Sequence, residues 1–188
     1  MATINLTPDA DIESNGWTLS SGSDVHPLLA DSDDTTGAYA TAVDKYCIVT
    51  LSDLGALITA SATIDSIRWY LRGSYTIVRS GDTDLQVRIG DGTLTSSGGT
   101  SYFDETFTLT FNAGYAPQDY YGTARTTSDG STPWTTAQVN AFRLDINTTP
   151  EAPDVPGGNV QRANIWKAYI EVTYTLPTDD AIFFGTNF

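Results

Sequence analysis

The most regular pattern of apolar and polar positions lies near the C-terminal end of the chain, over residues 164–176. Side chains alternate there with a period of two, which is typical of a β-strand with one buried face. The predicted buried face carries Trp166, Ala168, Ile170, Val172, Tyr174 and Leu176. A strand with one apolar face must pack against a second layer, so the pattern predicts a partner sheet.

Similar but shorter alternations predict further strands along the chain. They lie at residues 2–7, 16–19, 45–51, 63–73, 85–89, 102–111 and 142–146, with a further candidate at 120–125. We expect Pro8-Asp9 to end the first strand in a turn and the polar segment 22–37 to form a loop. Residues 53–62 fit both a loop and a short helical turn. The strand at 63–73 resembles the C-terminal strand, so the two are expected to be neighbours or to face each other.

One short helix is predicted near residues 135–141. Thr135 can act as N-cap with Gln138 completing a capping box, and Trp134 can pack on Val139 as a hydrophobic staple. About eight or nine strands, one helix and no strand-helix-strand alternation predict an all-β protein. The fold class is an antiparallel two-sheet sandwich of jelly-roll type, in which the first and last strands are expected to be neighbours.

Composition narrows the range of partners. The 188 residues include 23 acidic and nine Lys or Arg side chains, a formal charge of −14, which disfavours nucleic acid and anionic membranes as partners. The single cysteine, Cys47, cannot form an internal disulfide. The N-terminal residues lack the features of a signal peptide and no apolar run is long enough to span a membrane, so we expect synthesis in a cytoplasm.

The C-terminal residues are predicted to be separate from the sandwich. The length of the chain suits one domain, assigned to residues 1–176, and Pro177 is expected to stop the last strand. Residues 177–188 then form an arm. Its side chains Ile182, Phe183, Phe184 and Phe188 are predicted to bind a partner, because they are too apolar for a solvated terminus.

Catalytic chemistry is poorly represented. One histidine, His26, and one cysteine supply neither a nucleophile-histidine pair of known spacing nor a zinc site. A glycosidase needs two carboxylates across a cleft, and the spacing of the candidates does not determine their distances. These candidates are Asp104, Glu105, Asp145 and Glu171. We therefore expect a protein that is not an enzyme.

Calcium is the one metal for which the sequence offers ligands. Asp31, Asp33 and Asp34 lie in a loop closed by Gly37 and supply the oxygen ligands that calcium prefers. Aspartates in such loops also form Asx turns, so both interpretations stay open. No other cofactor is predicted.

Aromatic residues near predicted loops are candidates for stacking on a sugar. They are Tyr115, Tyr120, Tyr121 and Trp134. For Trp134 the predicted staple on Val139 is the competing role.

Several motifs together resemble a known group of proteins. They are Thr7-Pro8-Asp9-Ala10-Asp11, Trp134-Thr135, Val139-Asn140 and Val172-Thr173-Tyr174. Over residues 1–176 the chain resembles the small jelly-roll modules encoded in tailed-phage structural gene clusters and in some bacterial surface proteins. The resemblance implies a virion structural protein, with capsid decoration, or cementing, of the major capsid protein as the first choice. A homo-oligomer, with a trimer favoured, is implied as well.

Two alternatives to decoration stay open. A tail or receptor-binding module would recognise a host glycan through loop aromatics, and a free-standing carbohydrate-binding module would do so without a virion.

The decoration hypothesis can be tested at the arm. Deleting residues 177–188 should abolish oligomerisation or capsid binding, because the predicted apolar contacts are lost, while the monomer still folds. Sedimentation and co-pelleting with empty capsids measure this, and full assembly after the deletion would contradict the hypothesis.

Overall fold

A computed structural model describes residues 1–31, 33–40, 44–55, 58, 61–76, 83–109, 116–148 and 162–177. Within these ranges the chain is all-β, with two short helices. The strands are β1 (Ala2–Leu6), β2 (Pro8–Asn15), β3 (Trp17–Leu19), β4 (Ala38–Ala40), β5 (Tyr46–Leu51), β6 (Thr63–Thr76), β7 (Thr83–Gly90), β8 (Ser101–Leu109), β9 (Gln118–Tyr121), β10 (Arg143–Thr148) and β11 (Arg162–Thr175). The helices are α1 (Val25–Ala30) and α2 (Thr136–Asn140).

The strands form two antiparallel sheets that pack face to face, which confirms the predicted fold class. The first sheet has the order β3-β4-β11-β6-β9, and β1 also pairs with β11. The second sheet has the order β2-β5-β10-β7-β8. The apolar inner faces of both sheets contribute to one buried core. The prediction that the first and last strands are neighbours is confirmed, and of the two arrangements predicted for the strand at 63–73, beside or facing the last strand, the structure has the first.

The chain crosses between the sheets at Thr7, and here the predicted turn at Pro8-Asp9 is wrong. Pro8 is the first residue of β2, a position where the missing N–H of proline is tolerated. The crossing is held by two hydrogen bonds to Ser52: the Thr7 N–H donates to its hydroxyl (3.1 Å), and the Ser52 N–H donates to the Thr7 carbonyl (2.8 Å). The proline therefore starts a strand of the other sheet.

A bulge changes the alternation that the sequence predicts for β11. The register shifts between Ile165 and Lys167, so that one extra residue lies on β11. The core side chains of this strand are Ala163, Ile165, Ala168, Ile170 and Val172. Trp166 is buried but is not part of this core cluster, so its predicted place on the inner face is wrong. Leu176 follows the strand and is 48% exposed.

The predicted helix near 135–141 is confirmed as α2. The Gln138 N–H donates to the Thr135 hydroxyl (3.1 Å), and the Thr135 N–H donates to Oε1 of Gln138 (3.0 Å), which completes the capping box. Trp134 and Val139 are both buried in the core.

The segment predicted as a loop at 22–37 contains α1, which the sequence did not indicate. Its N-terminus is capped from β2: the Val25 and His26 N–H groups donate to the Asp11 carboxylate at 2.7 and 2.8 Å. His26 Nδ1 lies 3.1 Å from the same carboxylate. The cap lies on another element, 14 positions before Val25, so no signal within the helix or next to it marks this helix. Neither helix of the described residues is long and apolar enough to cross a membrane.

The outer face of the second sheet buries a carboxylate. Asp145 on β10 is fully buried and its Oδ2 accepts from Nε of Arg88 (2.7 Å), while Oδ1 has no hydrogen-bond partner among the described residues. Burial raises the pKa of Asp145 to about 6; the Arg88 charge opposes this rise, and Glu13 and Asp104 add to it. The folded state therefore keeps a proton on this carboxyl up to a higher pH than the unfolded chain does.

This raised pKa predicts a pH dependence of stability. The folded protein keeps a proton on Asp145 that the unfolded chain releases above its ordinary pKa of 3.8. The free energy of unfolding should therefore fall as pH rises from about 4 to about 6, on the order of 3 kcal/mol at most. Asp145→Asn stays uncharged and should lack this fall.

Urea unfolding of both proteins between pH 4 and 7 measures the difference. Asp9→Asn, at an exposed position of β2, is the control and should keep the wild-type slope. Parallel pH profiles of wild type and Asp145→Asn would contradict the raised pKa.

Candidate functional site

Three tyrosines lie side by side on the outer face of the first sheet. Tyr70 on β6 is directly opposite Tyr169 on β11 and Tyr121 on β9. The Tyr70 ring stacks on that of Tyr169 at 4.2 Å between centroids and meets the Tyr121 ring edge to face at 5.2 Å. Tyr70 is only 7% exposed, whereas Tyr121 is 50% exposed. This tyrosine row (Tyr70, Tyr121 and Tyr169) therefore has a buried centre and an open end.

Charged side chains surround the row and hold one another. The Arg68 guanidinium lies over the Tyr121 ring, 4.7 Å from its centroid, and its Nε donates to Glu171 at 2.6 Å. Arg72 donates to both Asp34 and Asp119 at 2.7 Å. With Lys167, which lies 6.0 Å from the Tyr169 centroid, this charged frame consists of Arg68, Arg72, Lys167, Asp34, Asp119 and Glu171. Three positive groups therefore balance three negative ones.

The contacts determine the protonation of these groups. The Tyr70 hydroxyl donates to Asp119 (2.7 Å), and this bond, followed by the Arg72 contact, lowers the pKa of Asp119. The Arg72 contact likewise lowers the pKa of Asp34. Burial is the main cause that raises the pKa of Tyr70 and of Tyr169. At neutral pH Tyr70 and Tyr169 are therefore uncharged phenols, and Asp34 and Asp119 are ionised carboxylates.

A groove opens beside the row, between β8 and β9 at the edges of the two sheets. This edge groove has a volume of about 330 Å³ and is lined by Trp69, Glu105, Thr106, Phe107, Tyr120, Tyr121 and Thr123. The Phe107 ring lies 4.9 Å from Trp69 and 5.1 Å from Tyr120, so three aromatic rings form one wall. Tyr121 belongs both to the groove and to the tyrosine row.

Glu105 and Gly122 determine the shape of the edge groove. Glu105 Oε2 accepts from the Trp69 indole N–H (2.8 Å) and from the Thr123 N–H (3.2 Å), which explains an acidic residue on the apolar side of β8. A Cβ on Gly122 would lie 2.2 Å from Trp69 Nε1. Only glycine allows the chain after β9 to pass this close to the indole.

The aromatic residues predicted to stack on sugars lie in different parts of the structure. Tyr121 lies in the tyrosine row and Tyr120 in the edge groove. Trp134 is 4% exposed and its ring contacts Tyr102, Phe103 and Phe142, so of its two predicted roles it has the one in the core and is not available to a sugar. Its hydrophobic area is used in the core next to α2. Tyr115 lies outside the described residues.

The four carboxylates considered for glycosidase chemistry have separate partners. Asp104 accepts from Gln86, Glu105 from Trp69, Asp145 from Arg88 and Glu171 from Arg68. Asp145 is buried on the outer side of the second sheet, whereas Glu171 lies on the outer side of the first. These two carboxylates therefore do not face one cleft.

The three aspartates predicted to bind calcium also have separate contacts. Asp31 accepts from the Asp33 N–H (2.9 Å) and the Thr36 hydroxyl (2.7 Å), and Asp33 accepts from the Thr35 N–H (2.8 Å), as in Asx turns. Asp34 pairs with Arg72. Within the described residues, no group of three or more His, Cys, Asp or Glu side chains could hold a metal ion. The calcium site stays a prediction, and an ion bound to all three carboxylates would have to replace the Arg72 contact.

Sequence reasoning missed Tyr70 and Tyr169 as site residues. The only signal was an aromatic residue on the polar face of each of two amphipathic strands, next to Arg68 in one and Glu171 in the other. The cross-strand register that brings them together is a property of the fold. The predicted partner-binding residues Ile182, Phe183, Phe184 and Phe188 lie outside the described residues.

No family model matches this sequence, and no curated protein matches it significantly. Among solved structures, the chain is similar to the CBM36-1 domain of a multidomain xylanase from the hindgut metagenome of Trinervitermes trinervoides. The identity is 11%, the TM-score is 0.41, and the match covers 94% of this chain and 98% of that one.

Two further neighbours are also carbohydrate-binding modules. The CBM22-1 xylan-binding domain of Paenibacillus barcinonensis Xyn10C has 12% identity and a TM-score of 0.40, over 90% of this chain and 98% of that one. The CBM32 of AlyQ, solved with 4,5-unsaturated mannuronic acid, has 16% identity and a TM-score of 0.37, over 86% and 98%. These values are too low to transfer a ligand or an activity to this chain.

The calcium hypothesis predicts a measurable effect on stability. If Asp31, Asp33 and Asp34 bind the ion, a chelator should lower the melting temperature and calorimetry should detect binding that Asp33→Asn weakens, because a ligand charge is lost. Asp129→Asn, in another exposed loop turn, is the control. An unchanged melting temperature on chelation and no binding by calorimetry would refute the hypothesis.

Proposed function

We propose that this protein is a non-catalytic glycan-binding domain and that the tyrosine row is its binding surface. The observation that carries the proposal is the half-exposed Tyr121 ring, supported by the buried Tyr70 and flanked by charged groups that already hold one another. This places an aromatic surface and polar donors and acceptors on the same rigid sheet.

The chemistry of a sugar fits this combination. A pyranose has an apolar C–H face that packs on an aromatic ring and a rim of hydroxyls that needs both donors and acceptors. Arg68 and Glu171 are joined by a 2.6 Å hydrogen bond beside the ring, so both types of group are available next to Tyr121. Because their contacts restrict these side chains, less conformational entropy is lost when a ligand binds.

A protein partner fits this surface less well. The centre of a protein interface is depleted in charged residues and rich in apolar area. The tyrosine row is instead bordered by six charged side chains. Of the large apolar side chains that are exposed in the described part of the chain, only Tyr121 belongs to the row.

Capsid decoration stays a prediction from the resemblance. Its predicted contact residues in the arm lie outside the described residues, so the structure provides no contact that supports it. The major capsid protein as partner, the trimer and the location in a virion depend on the same prediction. A glycan-recognition role also suits a receptor-binding module of a virion, so the proposed binding surface does not depend on that choice.

The tyrosine row predicts which substitutions abolish binding. Tyr121→Ala and Tyr169→Ala should each lower glycan affinity by about tenfold or more, because an aromatic contact or its support is lost. Tyr46→Ala, on β5 of the second sheet, is the matched control and should bind as the wild type does. A glycan array identifies ligands, and calorimetry on the best one measures the affinities.

Two outcomes would contradict the proposal. One is that no glycan on a broad array binds the wild type. The other is that Tyr121→Ala retains full affinity. Salt-resistant attachment of both the wild type and Tyr121→Ala to empty capsids would support decoration instead.

A further inference from the structure

We infer that the ligand is a neutral oligosaccharide and that the edge groove is a second subsite, which receives the sugar units beyond the one on the tyrosine row. This inference rests on the proposed function and extends it to ligand length and charge. It follows from three properties of the edge groove: its connection to the row, its preformed shape and its charge.

The connection is made by β9. Tyr121 lies in the tyrosine row and also lines the edge groove, while its neighbour Tyr120 lies further inside on Phe107. Successive side chains of a strand point to opposite sides, so a ligand that lies on Tyr121 is next to the mouth of the groove. A chain of sugars can follow the edge of the sheet from one surface to the other.

The shape of the groove is determined before any ligand binds. Its volume of about 330 Å³ falls in the range of small-molecule sites, which begins near 300 Å³. Trp69 is held by Glu105 and packed against Gly122, and the Phe107 ring lies against the indole. A preformed aromatic wall of this kind suits the C–H face of a sugar, and the hydroxyls of Thr106 and Thr123 supply polar contacts at the rim.

The charge of the groove favours an uncharged ligand. Glu105 is the only charged residue among the described residues that line it. Arg125 lies 3.5 Å from the other oxygen of Glu105 and over the Phe103 ring, 4.5 Å from its centroid. The arginines of the charged frame are likewise paired with carboxylates. An acidic sugar would therefore meet a carboxylate whose neighbouring arginines, Arg125, Arg68 and Arg72, already pair with carboxylates, in a protein of formal charge −14.

The inference predicts that affinity increases with ligand length. Cello- and xylo-oligosaccharides from disaccharide to hexasaccharide are the neutral probes, and oligomannuronates of equal length are the acidic probes. For the wild type, affinity for at least one neutral series should rise about tenfold between the disaccharide and the tetrasaccharide and then level off. Oligomannuronates should bind at least tenfold more weakly than that series.

A substitution that fills the groove separates this inference from the proposed function. Thr106→Trp places a large ring in the groove from an exposed position of the edge strand β8, and it should remove the gain with length while disaccharide binding persists. Thr108→Trp, two residues further along the same strand and outside the groove, is the matched control and should keep the gain. Circular dichroism and melting temperature verify that both variants fold.

The possible results distinguish the two proposals. If neutral sugars bind and Tyr121→Ala weakens them, but Thr106→Trp and Thr108→Trp have the same length dependence, the edge groove is not a subsite and the inference is wrong while the proposed function stands. Tighter binding of oligomannuronates would overturn the charge argument in the same way. If none of these saccharides binds the wild type, the inference is wrong, and the proposed function is contradicted for these ligands.

Discussion

The antiparallel pairing of β6 with β11 is the interaction on which the rest of the structure depends. Both strands are 14 residues long and pair over almost their full length. Their inner faces supply Ile67, Leu71 and Ile170 to the core, and their outer faces supply Tyr70 and Tyr169 to the tyrosine row. Any shift of register by one residue would exchange these faces, so the core and the candidate site are specified together.

The pairing of β6 with β11 also explains the close arrangement of the charged frame on the outer face of the first sheet. A carboxylate and a guanidinium on flexible side chains contribute little to stability at a surface, because ordering them costs entropy. On β6, Arg68 and Arg72 are held by partners from β11, β9 and the loop after α1. The frame is therefore better understood as an arrangement of donors and acceptors around Tyr121 than as a source of stability.

The two sheets are also connected at the edge, and this connection creates the edge groove. The indole N–H of Trp69 on the first sheet donates to Glu105 on the second, so a buried donor is satisfied by a carboxylate from the other layer. The carboxylate is in turn held by the Thr123 N–H after β9. Three elements from both sheets thus meet at one hydrogen-bonding group, and the aromatic wall of the groove is built around it.

The alternation of apolar residues determined the class of fold, because a strand with one apolar face, such as residues 164–176, must bury that face against another layer, and the sequence predicts too little helix to form that layer. The capping box at Thr135 and Gln138 could also be predicted from the sequence, since both partners lie within one turn of helix. Helix α1 could not be predicted in this way, because its cap, Asp11, lies on strand β2, 14 positions before Val25.

The candidate site, like the fold, was predicted only in part from the sequence. The half-exposed Tyr121 was among the residues selected from sequence, but Trp134 was selected with it and is buried. Tyr70 and Tyr169 are 99 positions apart in the chain and meet through strand register alone. Local chemistry thus determined the elements and their buried faces, whereas only the tertiary structure decided which aromatic and charged residues meet, because contacts between distant segments depend on the pairing of strands and not on neighbouring residues.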